Sequence, residues 1–143
     1  HVTSALEKRF QLEFYRPHIA ILTNLSWTPD TDHATPDAYY DTFRSFTKLI
    51  EREGKLIYFE GDRMVKQLAE NVREDITAIP YGEHAVIEKD GATFLQTRYG
   101  DFPIRIADSY FLTNLNAARL ACRQLGVKDA DFYRALSEYS VSL

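Results

Sequence analysis

Residues 18–23 read His-Ile-Ala-Ile-Leu-Thr, a short apolar run with β-branched side chains that stops at polar Asn24. An apolar run of this length, bounded by polar residues, is the pattern of a strand covered on both faces, so it predicts a buried central strand of a parallel sheet. The residues that follow are polar and include Pro29, Asp30, Thr31, Asp32 and Pro36. Open α/β sheets carry their sites in loops at the carboxyl ends of such strands, which places function in this stretch.

Working outward, Thr35 is placed to cap a helix with Pro36 at its first position, and Tyr39, Phe43, Phe46 and Ile50 recur at helical spacing until Gly54. Residues 55–59 form a second apolar run. Asp62 then opens a helix whose apolar side holds Met64, Val65, Leu68, Ala69 and Val72. Strand, helix, strand, helix implies a parallel sheet. Beyond it the period changes. Residues 76–79 read as a short strand, and residues 85–88 pair with 93–98 across Asp90-Gly91. A turn at Gly100-Asp101 leads into Phe102, Ile104 and Ile106, alternating with Pro103 and Arg105, which completes an antiparallel meander. Phe111, Leu115, Ala118, Cys122 and Leu125 mark a helix ended by Gly126, and Phe132, Leu136 and Tyr139 mark a last helix capped by Asp129. The predicted class is α/β, a mainly parallel sheet flanked by helices with a small antiparallel meander.

Of the 143 residues, 45% are hydrophobic and 27% charged, enough to bury one ordinary core and unlike a disordered chain. With 21 acidic and 17 basic side chains the net charge is −4, and no block of Lys or Arg offers a grip on a phosphate backbone, so nucleic acid is not expected as a partner. No apolar stretch is long enough for a membrane span, and the first residues lack the order of a signal peptide, so the cytoplasm is the expected compartment. Lone Cys122 has no disulfide partner and no zinc-type spacing, and it reads as a small buried side chain. The chain opens at His1 with Met64 its only methionine, so it reads as a piece of something longer. Six scattered glycines write neither a Walker loop nor a dinucleotide fingerprint. His84 falls in a turn and is expected to be exposed, His18 is expected to be a satisfied structural histidine, and no Ser-His-Asp or Cys-His spacing stands out.

The order YRPHIAILTNLSW (15–27), a polar loop, YYDTFRSFTKLI (39–50) and GKLIYFEGD (54–62) resembles the central, ATP-binding domain of the Mur ligases. NLNAARLACRQLGV (114–127) and TSALEKRF (3–10) extend the likeness over nearly the whole chain. Within that family the likeness is to the UDP-N-acetylmuramate:L-alanine ligases and the related murein-peptide recycling ligases. The resemblance implies that residues 1–140 are the C-terminal part of the central domain and that 141–143 begin the linker to a third domain. It implies a parent enzyme of cell-wall peptidoglycan synthesis or recycling that uses ATP and Mg2+ to activate a carboxylate of a UDP-N-acetylmuramate substrate as an acyl phosphate. The amine of an amino acid or peptide then attacks. The family's phosphate loop precedes the point where this chain begins, so the segment alone is expected to be inactive.

Site residues carry over by position. The family's metal histidine belongs to an Asp-His pair after the strand. In ungapped register Thr28-Pro29 stand there, whereas Asp32-His33 supplies the same dipeptide a few residues later. Asp32 and His33 are therefore the candidate metal ligands, the alternative being an ordinary solvated loop. Lys48 fits the family's bridging carbamylated lysine only in that gapped register, the ungapped one placing Arg44 there, and it is most simply a solvated helix residue. Asn114 matches the asparagine that reads the adenine edge, or else serves a local cap, while Tyr110-Phe111 replace the preceding His-Asn, leaving Tyr110 to stack on the base. These departures support an alternative, a catalytically decayed Mur-like binding or interaction module.

Overall fold

The computed structural model describes residues 17–24 and 35–142, in two units, residues 1–80 and 81–143, each with its own core. In the first unit, β1 (Ile19–Leu22), α1 (Pro36–Thr47), β2 (Lys55–Phe59), α2 (Arg63–Glu70) and β3 (Thr77–Tyr81) build a parallel sheet of order β1-β2-β3. Ile19 stands opposite Lys55 and Leu22 opposite Tyr58. Both helix starts follow the sequence signals. Thr35 Oγ1 accepts from the Ala38 N–H at 3.2 Å ahead of Pro36, and the Asp62 carboxylate accepts from the N–H groups of Met64 and Val65 at 2.9 and 3.1 Å.

Leu56 and Ile57 point to opposite faces of β2, and both are fully buried. Each stabilises the fold by roughly 1.5–3 kcal/mol relative to an exposed side chain. In β1 only one face is covered, because Ile21 is 40% exposed between buried Ala20 and Leu22. Among the described residues β2, not residues 18–23, is the central strand. Both runs are apolar enough for the place, and strand order depends on pairings that neither run encodes. Ala20, Leu22, Ile50, Leu56, Val65, Leu68, Ala69 and Ile76 form the core, with Tyr39, Phe43 and Phe46 of α1 packed against it.

The connection into β2 is tightly held. The Arg73 guanidinium donates to the carbonyls of Lys48 and Ile50, both at 2.7 Å, and to Asp75. Asp75 accepts in turn from the N–H of Glu53, whose φ of 61° is left-handed. Arg73 first, and then that N–H, hold the Asp75 carboxyl well below the usual carboxylate range. A Cβ on Gly54 would lie 2.7 Å from Ile50 Cγ2 and 2.8 Å from the carbonyl oxygens of Glu51 and His18, so only glycine lets the chain enter β2 so close to β1. His18 itself is exposed, and its contribution is this backbone carbonyl, which accepts from the Lys55 N–H at 2.8 Å.

In the second unit, β4 (Val86–Lys89), β5 (Ala92–Thr97) and β6 (Gly100–Ile104) form the antiparallel meander, followed by α3 (Ser109–Gln124) and α4 (Asp129–Ser142). Asp90 and Gly91, with φ of 51° and 76°, make the expected two-residue turn. The second turn is Arg98-Tyr99 rather than Gly100-Asp101, because Gly100 and Asp101 already pair with Thr97 and Gln96. Ile106 lies beyond the strand and is exposed. Pro103 is tolerated because β6 pairs on one side only.

Helix α3 buries Leu112, Leu115, Ala117 and Leu120 instead of the stripe through Ala118 and Cys122. Ala118 is exposed, Cys122 is half-buried and Leu125 is 74% exposed. The helix is apolar over a wide arc, so its own period does not choose the buried face. Leu95, Ile104, Leu112, Leu115 and Tyr133 form the core here, with Phe111, Phe132 and Leu136 packed against it. Asp129 does not cap α4. It is the first residue of that helix, and its carboxylate is taken by Arg119 Nη1 at 2.9 Å and Arg123 Nε at 3.2 Å.

The steric role of Gly54 is testable. Gly54→Ala is expected to lower stability by about 1–3 kcal/mol in urea denaturation while the fold is retained. An unchanged midpoint would show that the neighbours yield to the Cβ.

Candidate functional site

Asp108 caps α3, its carboxylate accepting from the Phe111 N–H at 2.8 Å. Tyr110 and Asn114 follow four residues apart, so they share one helix face about one turn, roughly 6 Å, from each other. The Tyr110 ring is 80% exposed and Asn114 is half-buried. An open ring beside a partly sheltered carboxamide can stack on a planar heterocycle while the amide offers a donor and an acceptor to its edge. Phe111, between them, turns instead into the core. The two site residues assigned to α3 are thus brought together on it.

The other two, Asp32 and His33, lie outside the described residues, as do Thr28 and Pro29. Among the described residues no group of three or more His, Cys, Asp and Glu side chains is close enough to hold a metal ion. Lys48 is an exposed residue at the C-cap of α1, and Arg44 pairs with Asp41 at 3.2 Å on the solvent side. A concave surface of about 520 Å³ is lined by Lys48, Leu49, Arg52, Arg73 and Asp75, and its wall is the structural clamp of Arg73. Another of about 400 Å³ is lined by Arg98, Tyr99, Arg123, Lys128 and Asp129. Neither includes Tyr110 or Asn114.

Two polar arrangements escape sequence reasoning. Asn116 donates to the Gly82 carbonyl at 3.0 Å and accepts from Arg119 at 2.8 and 3.0 Å, and Arg119 passes on to Asp129. The i, i+3 spacing of Asn116 and Arg119 was its only local sign. The second is His84, which is 8% exposed and not on the surface as expected. Its Nε2 lies 2.7 Å from the Tyr133 hydroxyl and its Nδ1 2.8 Å from the Ala85 carbonyl. A neutral ring satisfies both contacts, with Nδ1–H donating to Ala85 and Nε2 accepting from Tyr133. Nothing near His84 in sequence announces a partner 49 residues away. Burial lowers the His84 pKa from its ordinary 6.5, and the positive charge of Arg119 adds to that against the opposing Ala85 hydrogen bond.

Comparison with known proteins adds the following. A family model described as the Mur ligase middle domain matches residues 2–122. UDP-N-acetylmuramate–L-alanine ligase from Arthrobacter sp. (strain FB24) is 29% identical over 136 residues, covering 88% of this chain and 29% of that protein. Among solved structures, the ligase described as MPL from Neisseria meningitides, UDP-N-acetylmuramate:L-alanyl-gamma-D-glutamyl-meso-diaminopimelate ligase, superposes with a TM-score of 0.70 at 18% identity, over 89% of this chain and 41% of that one. MurF from Acinetobacter baumannii superposes with a TM-score of 0.68 at 17% identity, over 90% of this chain and 30% of that one. At such identities these two show the fold alone. The chain spans under a third of the length of the curated relative.

His84 makes stability depend on pH. Its folded pKa lies below the unfolded value, so the unfolded chain binds more protons, and the contribution is complete above about pH 6.5 and lost as pH falls through the folded value. Urea midpoints are expected to fall between pH 7.5 and 5.5, and His84→Gln is expected to flatten that part of the profile. Parallel profiles for the two proteins would contradict the assignment.

Proposed function

The chain belongs to the Mur ligase family as its middle domain, and from that premise we propose that it is the C-terminal part, residues 1–140, of the central domain of a cytoplasmic amide-bond-forming ligase of peptidoglycan synthesis or recycling. The substrate class is a UDP-N-acetylmuramate carboxylate joined to an amino acid or peptide. ATP with Mg2+ supplies the phosphoryl group that makes this carboxylate an acyl phosphate, open to attack by the amine. The residues of this chain bind and orient. Tyr110 gives a flat face for the adenine, and Asn114 distinguishes its edge by donating and accepting through one carboxamide. Asp32 and His33 are assigned to the metal. The segment by itself is inactive, because the phosphate loop belongs to the preceding part of the domain. Among the described residues no helix is long and apolar enough to cross a membrane.

The observation that carries the nucleotide assignment is the placement of exposed Tyr110 one turn before half-buried Asn114 on a capped helix. A different observation favours an interaction module with a decayed nucleotide site. Phe111, at a position where the family resemblance expects a polar base contact, is packed against the second core.

A Mg-ATP titration of the full-length parent separates the two. The ligase assignment expects saturable binding, weakened roughly tenfold by Tyr110→Ala through lost stacking and a few-fold by Asn114→Ala through one lost hydrogen bond. No binding at millimolar nucleotide to the folded parent would sink the ligase and leave the interaction module.

A further inference from the structure

The concave surface of about 400 Å³ lies at the far end of α3 from Tyr110 and Asn114, and it is basic in a chain whose net charge is −4. Arg98 and Tyr99 form the turn between β5 and β6, Arg123 comes from the last turn of α3, and Lys128, Asp129 and Ala130 from the start of α4. We infer that this concavity is a binding site for a phosphoryl group, free or carried by a small molecule, separate from the proposed nucleotide contacts and independent of that assignment.

Charge is the first reason. Arg98, Arg123 and Lys128 line it with a single carboxylate, Asp129, which Arg123 shares with the largely buried Arg119. One carboxylate cannot neutralise three lining cations, so a positive excess, carried by Arg98 and Lys128, remains for a ligand. The next acidic residue of α4, Asp131, is occupied by Arg134 at 3.4 Å. Lys128 and Arg98 are exposed and have no carboxylate partner among the ion pairs of the described residues.

Preorganisation is the second. Thr97 Oγ1 accepts from the Tyr99 N–H at 3.0 Å and donates to the Gly100 carbonyl at 2.7 Å, which fixes the turn. Gly100 takes the φ of 115° that the turn requires. The Arg98 guanidinium carbon sits 5.5 Å from the centroid of the Tyr99 ring, so the cation is held over an aromatic face with its N–H fork available. On the opposite wall Asp129 pins Arg123, so two planar guanidinium groups come already oriented. That geometry suits the several oxygens of a phosphoryl group, because the Arg98 fork can engage two of them while Arg123, whose Nε and Nη2 are taken by Asp129, offers its remaining N–H groups. The amino end of α4 adds its positive dipole to the same space.

The test is a titration of the chain with inorganic pyrophosphate at constant ionic strength, followed residue by residue by NMR. Saturable shifts at Tyr99, Lys128 and Ala130, with Tyr110 and Asn114 unmoved, are expected. Exchanging both exposed cations, Arg98→Gln with Lys128→Gln, is expected to weaken binding roughly tenfold and to leave the rest of the spectrum folded. The inference is overturned if no saturable shift appears at these residues, if the shifts gather at Tyr110 and Asn114 instead, or if the double variant binds as tightly as the original. Failure at Tyr99 and Lys128 would leave the Mg-ATP assignment of the parent untouched, since that rests on other residues.

Discussion

Helix α3 is held by a carboxylate at each end, and the second unit depends on that restraint. Asp108 satisfies an amide at its start, and Asp129 clamps Arg119 and Arg123 in its last turns. Arg123 first, then Arg119, keep the Asp129 carboxyl below the usual range, so the clamp stays charged well into mild acid. Between the ends, Leu112 and Leu115 fix the rotation of the helix by packing against Leu95, Ile104 and Tyr133. Once that rotation is set, Tyr110 must face solvent and Phe111 must face the core. The chemistry offered at the helix head is therefore a consequence of packing on its other side.

Residues with local signals were legible in the sequence. Thr35-Pro36, Asp62 and Asp90-Gly91 act through backbone groups within three residues of themselves, and each does in the structure what its spacing predicts. Choices made by distant partners were not legible. Residues 18–23 and 55–59 look alike as apolar runs, and only pairing makes the second one central. Helix α3 carries two overlapping apolar stripes, and only packing against Leu95, Ile104 and Tyr133 selects Leu112 over Ala118. Asp129 looked like a cap because it precedes an apolar period, but two arginines from the previous helix outbid the local amides for its carboxylate. His84 looked exposed because a turn surrounds it, and Tyr133 buries it.

The candidate site divides in the same way. Tyr110 and Asn114 are tied by helical geometry, so a spacing of four suffices to bring them together. For Asp32 and His33, which lie outside the described residues, adjacency in sequence supplies no such rule. Gly54 shows the opposite extreme, a residue whose identity follows from three atoms contributed by Ile50, Glu51 and His18, and whose role in sequence is merely to end a helix.

The most direct measurement is a crystal structure of the parent protein with Mg2+ and a non-hydrolysable ATP analogue. The account predicts the adenine against the Tyr110 ring with its edge toward the Asn114 carboxamide, and the metal beside His33. A base bound away from the head of α3, in a site that neither residue touches, would contradict it.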